Sequence, residues 1–198
     1  MRRTEEYLHP GGMEGIWTLG KKWREFRKES PSCLISLCCG TCAGLEYLQE
    51  PGLVLYGMDQ DPEALKKAAD AYPDLILLKG DLEKPLPFQD NQADAILCEC
   101  CLSLFDNTRL EILKEIRRIL KPGGFLLVGD LSDRDLKEPE GFSLLWREEQ
   151  KDWVKQYVAA WLWEHGSFPP WCGCRKKGEP IPGYYLALYK RKEEKWMI

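Results

Sequence analysis

The stretch from Leu34 to Asp59, LISLCCGTCAGLEYLQEPGLVLYGMD, constrains the fold of this chain more than any other. The apolar run Leu34 to Cys38 predicts a buried strand and the small residues Cys39 to Cys42 a tight loop into a short helix. Leu53 to Met58 predicts a second strand, closed by Asp59. A strand that feeds a tight turn aims backbone N–H groups at whatever lies above its tip. An acid at the tip of the next strand is placed to accept hydrogen bonds from a ribose. Together they predict a nucleotide-type pocket.

The chain around this unit repeats its grammar. Ile16, Leu19, Trp23 and Phe26 recur at helical spacing before Ser30-Pro31, which predicts a helix covering one edge of a sheet. Asp61-Pro62 supplies an N-cap and a proline at the first helical position, with Leu65, Ala68, Ala69 and Tyr72 as the buried stripe. Strands are predicted at Leu75 to Lys79, closed by Gly80-Asp81, and at Ala93 to Cys98. Thr108 and Glu111 read as a capping box for a helix that buries Ile112, Leu113, Ile116, Ile119 and Leu120. Lys121-Pro122-Gly123-Gly124 stops that helix before a fifth strand, Phe125 to Val128. Alternating strands and helices with apolar strand runs predict a parallel α/β sheet covered on both faces.

Beyond Asp130 the pattern changes. A long amphipathic helix is expected from Leu144 to Glu164, with Trp153, Val154, Tyr157, Val158, Trp161 and Leu162 on one face. Gly166 to Pro182 is rich in Gly and Pro and carries Trp171-Cys172-Gly173-Cys174, where Trp171 could form part of a lid. Tyr184 to Tyr189 predicts a final strand at the sheet edge, running antiparallel. One domain spans residues 1–198: an N-terminal helical cover (1–32), a cofactor-binding core (33–131) and a C-terminal part (132–198) with the helix, the Cys-x-Cys loop and the last strand.

A net charge of -4 without long single-sign blocks gives no footprint for nucleic acid. No apolar stretch reaches membrane-spanning length, and no leader or lipidation motif is visible, so a cytoplasmic protein is expected. Nine cysteines, an odd number, argue for reduced thiols over a disulfide framework. They group as Cys38, Cys39 and Cys42; Cys98, Cys100 and Cys101; and Cys172 with Cys174, leaving Cys33 apart.

From Leu34 to Leu131 the chain resembles the class I S-adenosylmethionine-dependent methyltransferases. The resemblance rests on five segments in order: the glycine-loop position, Asp59 in GMDQDPEAL, Asp81 in KGDLEKPLPF, the fourth strand, and LKPGG before the fifth. It implies a Rossmann-like, doubly wound, mostly parallel sheet and S-adenosyl-L-methionine as cofactor. Within that family the chain is similar to a cysteine-rich subgroup with Glu99-Cys100-Cys101-Leu102-Ser103 after strand four, Pro10-Gly11-Gly12 near the start and Gly183-Tyr184-Tyr185 in the last strand. That similarity also implies a thiol-rich redox partner.

The resemblance implies that Cys38, Cys39, Gly40 and Cys42 line the methionine part of the cofactor, Asp59 and Gln60 the ribose, and Asp81 with Leu82 the adenine edge. One departure stands out. Where the family loop reads Asp-x-Gly-x-Gly-x-Gly, this chain reads Ser36-Leu37-Cys38-Cys39-Gly40-Thr41-Cys42. A cysteine held in left-handed backbone would cost about 1–2 kcal/mol and narrow the pocket. Cys42, at a helix N-terminus, would have a lowered pKa.

Neighbouring first and fourth strands would bring two thiol clusters to one rim, the edge where ligands of such sheets bind. Either these cysteines are small core hydrophobes, or they line a substrate site as thiolates. Candidate catalytic residues are Glu99, Cys100 and Cys101, and candidate ligands for a soft metal or metalloid are Cys100, Cys101, Cys172 and Cys174. His9 is a second candidate base, although beside a Pro-Gly-Gly turn it reads as a surface residue. The expected activity is methyl transfer to a small soft nucleophile: a thiol, a selenium compound or a metalloid such as arsenite. The alternative is a degenerate fold that binds metal or a redox partner.

Overall fold

The computed structural model describes residues 9–105, 107–131, 138–169 and 182–193. Its core is a seven-stranded sheet in the order β3-β2-β1-β4-β5-β7-β6. The strands are β1 Cys33–Leu37, β2 Val54–Asp59, β3 Ile76–Lys79, β4 Ala93–Glu99, β5 Leu120–Leu131, β6 Phe142–Gln150 and β7 Tyr184–Arg191. Strands β1 to β5 run parallel, while β7 pairs antiparallel with both β5 and β6. This is the expected Rossmann-like α/β architecture with an antiparallel last strand.

Strand side chains alternate between two apolar layers. Ile35, Leu37, Ile96 and Val128 pack with Ile112, Ile116 and Ile119 of α3 (Arg109–Ile119). Leu34, Leu55, Leu97 and Leu127 pack on the other face with α1 (Gly12–Phe26), α2 (Pro62–Ala71) and α4 (Trp153–His165). Each aliphatic side chain so buried contributes roughly 1.5–3 kcal/mol. With both faces covered, only the strand ends are left to build a site.

Several local expectations need correction. Helix α1 lies over β5 and β7, inside the sheet, and not over an edge. In α2 the Asp61 side chain accepts from Glu63 N at 2.9 Å as an N-cap, but of the expected stripe only Ala68 is fully buried and Ala69 is exposed. Thr108 makes no side-chain cap for α3; its hydroxyl donates to Glu83 Oε1 at 2.9 Å instead.

The largest difference is at Leu144. Phe142 to Gln150 forms β6, and α4 begins only at Trp153. Apolar and charged residues in FSLLWREEQ fit either period, and the free edge of β7 decides for strand. Strand β7 therefore lies between β5 and β6, and β6 forms the edge. Trp163 is 78% exposed, so it takes no part in packing helix against sheet. Trp171, Cys172 and Cys174 lie outside the described residues. Among the described residues, no helix is long and apolar enough to cross a membrane.

Candidate functional site

The C-terminal ends of β1, β2 and β4 open into one cavity of about 310 Å³. Ligand pockets of folds like this one sit at that place and begin near that size. Of the residues the sequence singled out, Cys38, Cys39, Gly40, Cys42, Asp59, Gln60, Asp81, Leu82, Glu99, Cys100 and His9 all line it. Cys101 does not; it is fully buried beneath the rim.

The loop after β1 takes left-handed backbone at alternate residues, with φ of 52° at Cys38, 53° at Gly40 and 58° at Cys42. These are the positions where the family loop carries glycine, so two cysteines hold a conformation that costs L residues about 1–2 kcal/mol each. The loop is tied down at both sides. Cys39 N donates to Met58 O at 3.0 Å, and Cys42 N to Cys39 O at 2.8 Å. A side chain on Gly40 would meet nothing within 4 Å, so that backbone faces open space.

The cysteine side chains do not fill that space. Cys42 Sγ and Cys39 Sγ lie 2.8 and 2.9 Å from where a Gly57 Cβ would stand, so both press on β2 where only glycine leaves room. Cys38 Sγ turns to the opposite layer, 3.0 Å from Cys101 Sγ. The Cys39 thiol donates to Gly40 O at 3.7 Å, and the neighbouring Cys39 and Cys42 thiols act on one another, pushing the Cys39 pKa up and lowering that of Cys42. The lowering has this cause and not a helix dipole, because the only helix here is the one-turn Leu45–Leu48 segment, three residues on. All three cysteines nonetheless line the cavity, and Cys38 and Cys39 are partly exposed.

Asp59, at the tip of β2, accepts from Gly40 N at 2.8 Å through Oδ2 and from Asp61 N at 2.9 Å through Oδ1. It thereby fixes the loop of β1 to the tip of β2. Each carboxylate oxygen keeps a further lone pair for a sugar hydroxyl. Asp81 Oδ1 accepts from Glu83 N at 2.9 Å, which presents the backbone around Leu82 at the cavity wall. These residues fit the ribose and adenine edge of S-adenosylmethionine.

Glu99 ends β4 with a side chain only 8% exposed. Its Oε1 is buried without a hydrogen bond among the described residues, while Oε2 lies 3.4 Å from His9 Nε2. Burial is the first cause raising its pKa well above the ordinary carboxylate value; the nearby Asp130 adds to it and the Tyr184 hydroxyl opposes it. Asp130, itself 1% exposed, is likewise raised by burial, against hydrogen bonds from Ser103 and Leu131 N. Burial also lowers His9 to about 4, so its imidazole is neutral near pH 7. Gly12 N donates to His9 Nδ1 at 3.1 Å, so the ring proton sits on Nε2 and faces Glu99. The surface reading of His9 is thus overturned: the turn that was to expose it delivers it to the cavity.

Two glycines make room for this acid, and a third for the Tyr184 phenol beside it. A Cβ on Gly15 would stand 2.9 Å from Glu99 Oε1, and one on Gly129 would stand 2.7 Å from Tyr184 Oη and 3.2 Å from Glu99 Oε1. Gly11 gives Tyr184 Oη the same clearance, at 2.5 Å. Sequence reasoning missed this contact, although both Pro10-Gly11-Gly12 and Gly183-Tyr184-Tyr185 were visible as segments without a role.

The thiols of strand four separate. Cys100, at φ 46°, sends its sulfur to the Tyr184 hydroxyl at 3.7 Å, while Cys101 packs with Cys38 and Cys98 in the other layer. Burial raises the Cys100 pKa well above its usual value, and the Cys38 and Cys98 thiols do the same to Cys101. Two side chains on opposite faces cannot share an ion. Among the described residues no group of three or more His, Cys, Asp or Glu could hold a metal; of the four candidate soft-metal ligands, Cys172 and Cys174 lie outside the described residues. Cys101 behaves as a core hydrophobe, with an exposure of 0%.

Comparison with known proteins agrees with this geometry. Residues 35–128 match the model of the methyltransferase domain family. An uncharacterised methyltransferase, sll0829, of Synechocystis is 31% identical over 99 residues, 50% of this chain and 46% of that protein. The thiol S-methyltransferase TMT1B of Rattus norvegicus is 29% identical over 123 residues, 58% of this chain and 48% of its own length. The chain thus spans about half the length of the curated relatives it matches. A crystal structure of a candidate sarcosine dimethylglycine methyltransferase from Galdieria sulphuraria superposes with a TM-score of 0.71 at 14% identity, covering 93% of this chain and 86% of that one. Residues 35–128 thus resemble a methyltransferase domain, and the described chain shares the Rossmann-like fold of that solved methyltransferase.

Proposed function

We propose that this protein is an S-adenosylmethionine-dependent methyltransferase whose acceptor is a small soft nucleophile, a thiol before a selenium compound or a metalloid. The observation that carries this reading is the cavity itself. It joins a ribose-type acid, an open glycine-bearing loop and a buried carboxylate, held by His9 on one oxygen, at the ends of β1, β2 and β4. The rat relative's printed activity, thiol S-methylation, supports a sulfur acceptor.

The cofactor would supply a methyl group on a positively charged sulfonium. Asp59 would accept from the ribose hydroxyls, and Asp81 with the Leu82 backbone would meet the adenine edge. Glu99 would take the acceptor's proton at its carboxylate. A raised pKa brings that carboxylate closer to the ionisation of a thiol and makes it a better matched base. His9, with its proton on Nε2, would hold Glu99 Oε2 in position. Positioning does the rest, since oriented reactants reach effective molarities of about 10⁵–10⁸ M.

The test is calorimetric titration of reduced, metal-free protein with S-adenosylmethionine, followed by product analysis over a panel of thiols, selenite and arsenite. Micromolar binding with methylation of at least one panel member is the expected result. Binding without any methylated product overturns the acceptor class, and absence of binding overturns the whole reading.

A further inference from the structure

Cys38 and Cys100 hold left-handed backbone, at φ 52° and 46°, although neither is glycine. Strain of this kind persists where the surroundings over-determine it, and it gathers at functional positions. Both residues serve one juxtaposition. Cys38 carries its sulfur to within 3.0 Å of Cys101 Sγ, and the turn at Cys100 sends the next residue to that same layer. Closing a disulfide of about 2.05 Å from there requires a movement of about 1 Å. Cys38 and Cys101 follow closely on two strands that are already paired, Leu37 beside Cys98.

We propose that Cys38 and Cys101 form a thiol–disulfide exchange site for low-molecular-weight disulfides, and that bound cofactor shields it. Cys38 lines the cavity, whereas Cys101 is fully buried, so the first encounter falls to Cys38. The Cys38 thiol loses its proton to solvent, and the thiolate attacks one sulfur of the incoming disulfide, expelling the other half as a thiolate. Cys101 gives its proton to that thiolate and attacks Cys38 Sγ, expelling the second half. One external disulfide is reduced to two thiols while two cysteines are oxidised to one disulfide. A ligand seated on the loop of β1 covers the approach to Cys38. The exchange rests on the two thiols alone, and its shielding on the cofactor binding proposed above.

The reduced full chain is incubated with oxidised glutathione, alkylated, digested without reductant and mapped by mass spectrometry, with and without saturating S-adenosylhomocysteine. A Cys38–Cys101 linked peptide pair is expected, forming about tenfold or more slowly in the presence of the ligand. Cys101→Ser should stop at a glutathione adduct on Cys38. Linkage only between Cys39 and Cys42, or complete alkylation of Cys38 and Cys101 after oxidation, overturns the site. Equal rates with and without ligand overturn the shielding. Linkage mapping on the ligand-free wild-type chain needs neither a folded variant nor activity, so its outcome is separate from that of the methyltransferase reading.

Discussion

Tyr184 Oη lies 2.5 Å from the point where a side chain on Gly11 would begin. Pro10-Gly11-Gly12 and Gly183-Tyr184-Tyr185 are therefore two halves of one fit: the N-terminal turn is thin because the last strand brings a phenol against it. Tyr184 is fully buried, so its ring has little freedom to retreat. Gly11→Ala should cost about 1–3 kcal/mol through overpacking. Urea midpoints measure this, and Gly11→Ala combined with Tyr184→Phe should recover part of the loss by removing the closest atom.

Glu99→Gln keeps the shape of the acid and removes its charge. Cofactor affinity should stay near wild type while methyl transfer falls by about 10²–10⁴, the usual worth of a positioned base. The wild-type rate should rise with pH through the raised pKa of Glu99, and the variant should lose that limb. A pH–rate profile with a thiol acceptor decides.

Stability carries opposite signatures from the two partners. Glu99 is raised in the folded state, so its contribution is present below the unfolded value and is lost as pH rises toward the folded one. His9 is lowered to about 4, so its contribution is present above the unfolded value of 6.5 and is lost as pH falls from there to about 4. His9→Gln should flatten unfolding free energy over that acid window, and Glu99→Gln the loss of stability that sets in as pH rises past the unfolded carboxylate value. Denaturant titrations across both windows check the signs.

Asp59→Asn retains one acceptor oxygen for the backbone but not the charge. Losing charge-assisted hydrogen bonds to a ribose should weaken cofactor binding about tenfold to a hundredfold. Asp59→Ala should also release Gly40 N and Asp61 N, and so reduce stability as well as binding. Calorimetry beside thermal unfolding separates the two losses.

Gly40 offers a sharper contrast. Ala there meets no atom within 4 Å but must adopt φ near 53°, so stability should drop by only about 1–2 kcal/mol. The added methyl would stand in the open space above the loop. Cofactor affinity should fall further than the stability loss explains, and a Gly40→Ala protein that binds as well as wild type would remove the loop from the cofactor site.

Much of this was legible in the residues. The apolar runs of β1, β2 and β4, Asp61-Pro62 at the start of α2 and the Pro-Gly-Gly stop after α3 each carry a local cause, and local causes add up to strand order. Strand β6 was not legible, because FSLLWREEQ takes its state from a partner strand that sequence spacing does not reveal. The acid cluster was half legible. Glu99 stood out at the end of its strand, but His9 and Tyr184 reach it from distant elements, and nothing local in a His-Pro-Gly-Gly turn says where its imidazole will point. The parting of Cys100 from Cys101 depends on one left-handed residue, a conformation that cysteine seldom signals.

The placement of β7 between β5 and β6 has a consequence for synthesis. Strand β6 leaves the ribosome before β7, the one strand it pairs with among the described residues, so for that interval it is a bare edge able to join another chain. Arg147, Glu148 and Glu149 sit along it, and Arg147 pairs with Glu149 within the same strand. Charges on an edge discourage foreign strands from docking. The mixed charge that disguised β6 as a helix is what protects the nascent chain until β7 arrives.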